Sequence, residues 1–151
     1  MEKIHLTTII NAPRQKVWDF MLGKGTYEQW TAVFSPGSRY EGSWDEGADI
    51  QFIGPNPNGS GEGGMISRIA VNRPHEFVSV EHLGIILNGQ KVTEGEFAEN
   101  WIGVHENYTF ADRDGGTELT IDMDITESEK AHMQEAWTKA LAKLKELVEA
   151  A

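Results

Sequence analysis

Near the end of the chain, Met133, Trp137, Leu141, Leu144 and Val148 recur at intervals of three and four. That spacing puts them on one stripe of an α-helix. Ala136, Ala140 and Leu147 widen the stripe, and the pattern runs from about Thr126 to Ala150. Thr126 followed by Glu129 matches the reciprocal capping box that opens many helices. Lys139, Lys143 and Lys145 gather in the later turns, where positive charge suits the helix dipole. At the α-helical rise this segment spans roughly 36 Å. A helix that long, with one apolar stripe, needs a broad apolar surface to cover.

The rest of the chain supplies that surface as strands. Ile4, Leu6, Thr8 and Ile10 alternate with Lys3, His5, Thr7 and Ile9, which predicts a strand over 3–10. Pro13 suits a first helical turn, and Val17, Trp18, Met21 and Leu22 give a short amphipathic helix ended by Gly23 and Gly25. A second short helix is expected through Tyr27, Trp30 and Val33, stopped by Pro36-Gly37. Strands are then predicted near 39–44, 49–54, 63–73, 76–84, 103–112 and 116–125. Turn residues separate them: Asp45-Glu46-Gly47, the Gly/Pro/Asn run 54–61, Asn72-Arg73-Pro74 and Asp114-Gly115-Gly116. In the last strand Leu119, Ile121, Met123 and Ile125 face inward, against outward Glu118, Thr120, Asp122 and Asp124. Segment 86–102 holds an Asn88-Gly89 turn and a short helical piece at 94–101. The economical packing is α+β: one curved antiparallel sheet of about seven strands, with two short helices and the long one on the same face. A cavity is left between them unless large side chains fill it.

Composition narrows the function classes. The 151 residues suit one domain, 1–151, and 39% hydrophobic residues are enough for a core. A formal charge of −11 repels phosphate backbones and anionic lipid heads, so neither nucleic acid nor a membrane is an expected partner. With no cysteine there is no disulfide framework, thiolate metal site or cysteine nucleophile. The opening residues lack the apolar run of a signal peptide, and no stretch approaches the roughly 18 apolar residues of a membrane span. A cytoplasmic location is expected.

Several motifs resemble a known family. Ile-Asn-Ala-Pro-Arg-Gln-Lys-Val-Trp at 10–18 resembles the start of the SRPBCC superfamily, the helix-grip or START/Bet v 1-like fold. Trp30-Thr31 is similar to the branch related to the C-terminal domain of the activator of Hsp90 ATPase (AHSA1-like). Glu106-Asn-Tyr-Thr-Phe110 and Gly116-Thr-Glu-Leu-Thr120 resemble its last two strands, and Trp137, Leu141 and Leu144 its terminal helix. The resemblance spans nearly the whole chain. It implies a helix-grip fold and, as the leading expectation, binding of a small hydrophobic or lipid-like ligand between the long helix and the sheet. It also implies two alternatives: a chaperone-activator type of protein-interaction module, and a cavity enzyme of cyclase or hydrolase type. The co-chaperone carries a further N-terminal domain, whereas this sequence opens at the SRPBCC-like start, so the chaperone partner ranks below the small ligand. Segments 54–64 and 86–102 look like variable insertions.

Individual residues carry weaker signals. The Gly-rich run 54–64 leads into a strand, not into the Gly-Lys-Ser/Thr helix start of a phosphate loop, and reads as a hairpin loop or a lid. The five histidines show no metal spacing. His82 and His105 can lie on neighbouring strands, but alternation sends each away from its adjacent Glu81 or Glu106. No metal and no cofactor are expected, and the histidines should be solvent-facing or singly hydrogen-bonded. Parity with Tyr108 and Phe110 puts Glu106 on the concave side. There a carboxylate needs a partner such as Arg68, water or a proton, and it is a candidate for orienting a ligand or for acid/base work. No nucleophile triad is visible, so no catalytic residue is assigned. The candidate cavity residues are Tyr40, Phe52, Glu106, Tyr108, Met133, Trp137 and Leu141.

Overall fold

The structure is a computed structural model that describes residues 2–56 and 61–151. The alternating strands and the long helix fall where the hydrophobic periods put them. In chain order the elements are β1 (Glu2–Ile10), α1 (Arg14–Leu22), α2 (Lys24–Thr31), β2 (Arg39–Gly42), β3 (Asp49–Pro55) and β4 (Glu62–Arg73). They continue with β5 (Phe77–Leu87), β6 (Gln90–Val92), α3 (Glu96–Glu99), β7 (His105–Arg113), β8 (Gly116–Ile125) and α4 (Glu127–Ala150). The strands form one antiparallel sheet in the order β1-β8-β7-β5-β4-β3-β2, with β6 paired to the end of β5. The architecture is α+β: a curved open sheet carrying α1, α2 and α4 on its concave face.

Register decides which residues form the core. Ile4 opposes Met123, Leu6 opposes Ile121 and Ile10 opposes Thr117. Tyr108 opposes Ile121 on one side and Val78 on the other, and Phe110 opposes Leu119. These apolar rows meet Trp137, Ala140, Leu141, Leu144 and Val148 of α4, all buried. The opposite face carries ion pairs, among them Lys3–Asp124 at 2.9 Å and Arg68–Glu81 at 2.9 Å, together with the His5–Asp122 pair.

Several local expectations change. Pro13 is the extended N-cap of α1, not part of its first turn. Gly23 ends α1 and at once caps α2, so Gly25 lies inside the second helix. That helix stops at Thr31, leaving Val33 exposed beyond it. Thr126 caps α4, but its side chain makes no capping bond, so the reciprocal box with Glu129 does not form. Glu127 and Glu129 still place negative charge in the first turn. The helix continues past its lysines, and Lys145 donates to the Ile9 carbonyl at 2.6 Å, tying α4 to the end of β1 instead of serving its own C-terminus. Asn88 and Gly89 both have positive φ, 51° and 80°, which is the type I′ geometry of a two-residue hairpin. The hairpin extends β5 to Leu87 and adds β6, a strand that its polar sequence conceals. The helical piece expected at 94–101 contracts to the single turn of α3.

Candidate functional site

The N-terminal half of α4 stands over a pocket of about 340 Å³. Its walls come from α2 and the segment after it (Tyr27, Trp30, Thr31, Phe34), from β3 and the start of β4 (Phe52, Met65), and from α4 (Met133, Trp137). His82, Glu106 and Tyr108 of the sheet complete it. Gly54 on β3, Asn56 just past its end, and Gly63 and Gly64 on β4 frame one side. Gly64 has a φ of 149°, and a Cβ there would lie 1.8 Å from the Phe52 carbonyl oxygen, so only glycine lets β3 and β4 close at this point. Residues 57–60, the middle of the run read as a hairpin loop or lid, lie outside the described residues.

Aromatic rings make most of one wall. Trp137 is the hub, with ring centroids 5.8 Å from Trp30, 5.1 Å from Phe34 and 5.7 Å from Tyr108. Tyr27 continues the set towards Phe52 at 6.2 Å. The offsets and tilts are those aromatic pairs prefer.

A polar chain crosses the sheet floor. Val80 opposes Glu106, so His82, two residues on, is its diagonal neighbour on the same face. The His82 ring hydrogen-bonds Glu106 Oε1 from Nε2 at 2.9 Å, and the Tyr108 hydroxyl donates to Oε2 at 2.8 Å. On its far side, His82 Nδ1 is 2.7 Å from Ser67 Oγ. A proton on Nε2, with the Ser67 hydroxyl donating to Nδ1, satisfies both contacts. A register shift between Ile66 and Ser67 brings Ser67 opposite His82. Burial pushes the Glu106 carboxyl up, but His82 and the bonds from His82 and Tyr108 outweigh it, and the group sits below its ordinary value. Burial, then the Glu106 charge, raise the Tyr108 phenol well above its ordinary value, so Tyr108 remains a neutral donor. Tyr27 is raised for the same two reasons.

Ser67, His82 and Glu106 have the connectivity of a hydrolase triad but not its geometry. Ser67 has no exposed surface and does not line the pocket, so its hydroxyl cannot meet a substrate there.

Of the seven cavity residues expected from sequence, Phe52, Glu106, Tyr108, Met133 and Trp137 line the pocket. Tyr40 and Leu141 do not. Tyr40 packs on Tyr27 and donates to the Leu22 carbonyl at 2.8 Å, and Leu141 is buried in the core farther along α4. The expectation that every histidine is solvent-facing or singly bonded fails for His82, which is 1% exposed with two partners. Arg68 does not reach Glu106, because it sits on the other face with Glu81. His105 also faces away, bonded to Ser79 at 2.9 Å. Among the described residues no three His, Cys, Asp or Glu side chains gather as a metal set. Trp30, Phe34, Tyr27 and His82 were absent from the expected cavity set. The parity of Val78, Val80 and His82 along β5 was the one signal for His82.

The sequence matches a family model described as Activator of Hsp90 ATPase homolog 1-like protein over residues 11–149. A search of curated proteins gives no match. Solved structures with the same fold include protein MLL2253 from Mesorhizobium loti, 12% identical, with a TM-score of 0.75 over 99% of this chain and 98% of that one. The Aha1 dimer from Colwellia psychrerythraea is 19% identical, with a TM-score of 0.70 over 99% and 97%. ChR145 from Cytophaga hutchinsonii is 20% identical, with a TM-score of 0.72 over 99% and 95%. At these identities the likeness concerns the fold, which is Bet v 1-like.

Proposed function

The chain belongs to the Activator of Hsp90 ATPase homolog 1-like family, and from that premise we propose that it binds a small, largely apolar molecule in the pocket between α4, α2 and the sheet. One observation carries the reading: a pocket of about 340 Å³ with an aromatic wall and, among the described residues, one carboxylate, that of Glu106, on its floor. Volume, apolar lining and a few convergent polar groups are the ordinary properties of a small-molecule site. In this reading Phe52, Met133 and Trp137 contact the apolar body of the ligand, while Glu106 and Tyr108 fix its polar end. Tyr40 and Leu141 support the walls from behind. The working compartment is the cytoplasm.

The test is an unbiased small-molecule screen read by thermal unfolding. A ligand at about 100 times its Kd stabilises the folded state by about 2.7 kcal/mol. The same ligand should not stabilise a Met133→Trp variant, in which the indole occupies the pocket. A screen without a single hit that depends on Met133 overturns the reading.

The family description supports a second reading, interaction with an Hsp90-type chaperone. It predicts stimulation of that chaperone's ATPase, and an unchanged rate ends it. A cavity enzyme has less support. A general acid near neutral pH calls for a raised carboxyl, whereas Glu106 is lowered.

A further inference from the structure

We propose that the pocket selects an organic ammonium ion, an apolar body bearing a protonated amine seated against Glu106. The inference rests on the pocket being a ligand site.

Four of the hydroxyls around the pocket spend their protons inside the protein, while the Tyr27 hydroxyl and the Trp137 indole N–H make no hydrogen bond among the described residues. Thr31 donates to the Tyr27 carbonyl at 2.6 Å, Ser35 to the Pro55 carbonyl at 2.9 Å and Ser38 to the Ser35 carbonyl at 2.6 Å. Tyr108 donates to Glu106, and the Trp30 indole N–H donates to the Met21 carbonyl at 3.1 Å. What these groups turn towards the pocket is lone pairs and ring faces. Glu106 adds more of the same. An ionised carboxylate has about four acceptor positions. His82 and Tyr108 occupy one on each oxygen, and the side chain remains 17% exposed. No Lys or Arg is among the described lining residues, so Glu106 faces no competing cation inside the pocket.

Such a surface discriminates by charge. A carboxylate or phosphate ligand would meet the Glu106 charge and few free donors, which costs free energy without compensation. A neutral apolar ligand would use the rings and leave the carboxylate's free lone pairs unmet. An ammonium group uses both: its N–H bonds reach Glu106 and the hydroxyl oxygens, and its charge lies near the faces of Trp137, Trp30 and Tyr108. The overall charge of −11 also raises the local concentration of cations around the protein.

The experiment titrates the full chain at neutral pH with three probes of one shape: 2-phenylethylamine, 2-phenylethanol and phenylacetate. Binding is followed by the NMR signals of pocket residues, including the indoles of Trp30 and Trp137. The expected result is amine binding about tenfold tighter than the alcohol, no saturable binding of the anion, and loss of the amine preference in Glu106→Gln. Should that variant not fold, the wild-type amine-to-alcohol ratio decides alone. Alcohol or anion binding as tightly as the amine overturns the ammonium assignment and leaves the pocket reading standing, as does an amine preference that survives in folded Glu106→Gln. A pocket that responds to none of the three overturns the ammonium assignment, and the unbiased screen then decides the pocket reading.

Discussion

The two halves of α4 rest on the same sheet and meet it differently. In the C-terminal half Ala140, Leu144 and Val148 are sealed, and so are Val17, Ile10 and Leu119 in the same core. The chain ends are pinned there too: Lys145 donates to the Ile9 carbonyl, the Asn11 N–H to Glu149 at 2.8 Å, and Lys16 to the Ala151 carbonyl at 2.8 Å. In the N-terminal half Met133 stays half-buried, and Trp137 turns towards a pocket floored by Glu106. Small and branched aliphatic side chains interdigitate and let a helix settle onto a sheet. Large rings braced against one another form walls, and a carboxylate that must keep hydrogen-bond partners cannot be packed over with aliphatics. One helix thus has a structural half and a half that leaves room for a guest.

The largest effect is expected from Leu144→Ala in the sealed half. It should cost about 3 kcal/mol in denaturant unfolding and leave any pocket ligand's affinity unchanged. A cost under about 1 kcal/mol would mean that the sealed half is not closely packed.

Glu106→Gln is next, at about 2 kcal/mol, because it leaves donors on His82 or Tyr108 imperfectly met. The same residue should leave a mark on the pH dependence. Its folded-state value is lowered, so its contribution is complete above the ordinary carboxylate value of the unfolded chain. That contribution is lost as pH falls through the depressed folded value. The groups facing it are His82 from β5, Tyr108 from β7 and Tyr27 from α2, while α4 presents only Met133 and Trp137. Subtracting the variant's acid-unfolding curve from that of the wild type should therefore give a difference that shrinks with acid. A difference that grows with acid contradicts the lowered folded-state value of Glu106.

Met133→Ala, in the open half, should cost only about 1 kcal/mol, since the removed atoms already border empty volume, and it should weaken ligand binding more than folding. A cost equal to that of Leu144→Ala would erase the distinction between the halves. Smallest of all is Lys3→Met on the convex face, where both partners of the pair with Asp124 are exposed, and no shift of the unfolding midpoint is expected.

How much of this was legible follows from which signals are local. Alternation along β8 places Leu119, Ile121, Met123 and Ile125 in the core, and all four are buried. Parity with Tyr108 and Phe110 places Glu106 on the concave side, where it lines the pocket. His82 is the instructive miss. Alternation correctly separates it from Glu81 and separates His105 from Glu106, and the remaining consequence, that His82 and Glu106 share a face, needs the β5–β7 register. Its second partner, Ser67, arrives through a register shift that leaves no mark in the hydrophobic pattern. Likewise, no local period reveals that Phe34, beyond the end of α2, packs edge-to-face with Trp137 about a hundred residues later.

By itself the sequence determines the order of the main elements, the covering helix and the inward set of most strands, because periods of 2 and 3.6 are properties of the chain a few residues at a time. The tertiary structure decides that the cover closes at one end and not at the other. It also decides that a histidine, a glutamate and a tyrosine from two strands become one polar floor. Those outcomes depend on register, on a bulge and on rings brought together from distant segments, and each is a long-range contact that no window of neighbouring residues contains.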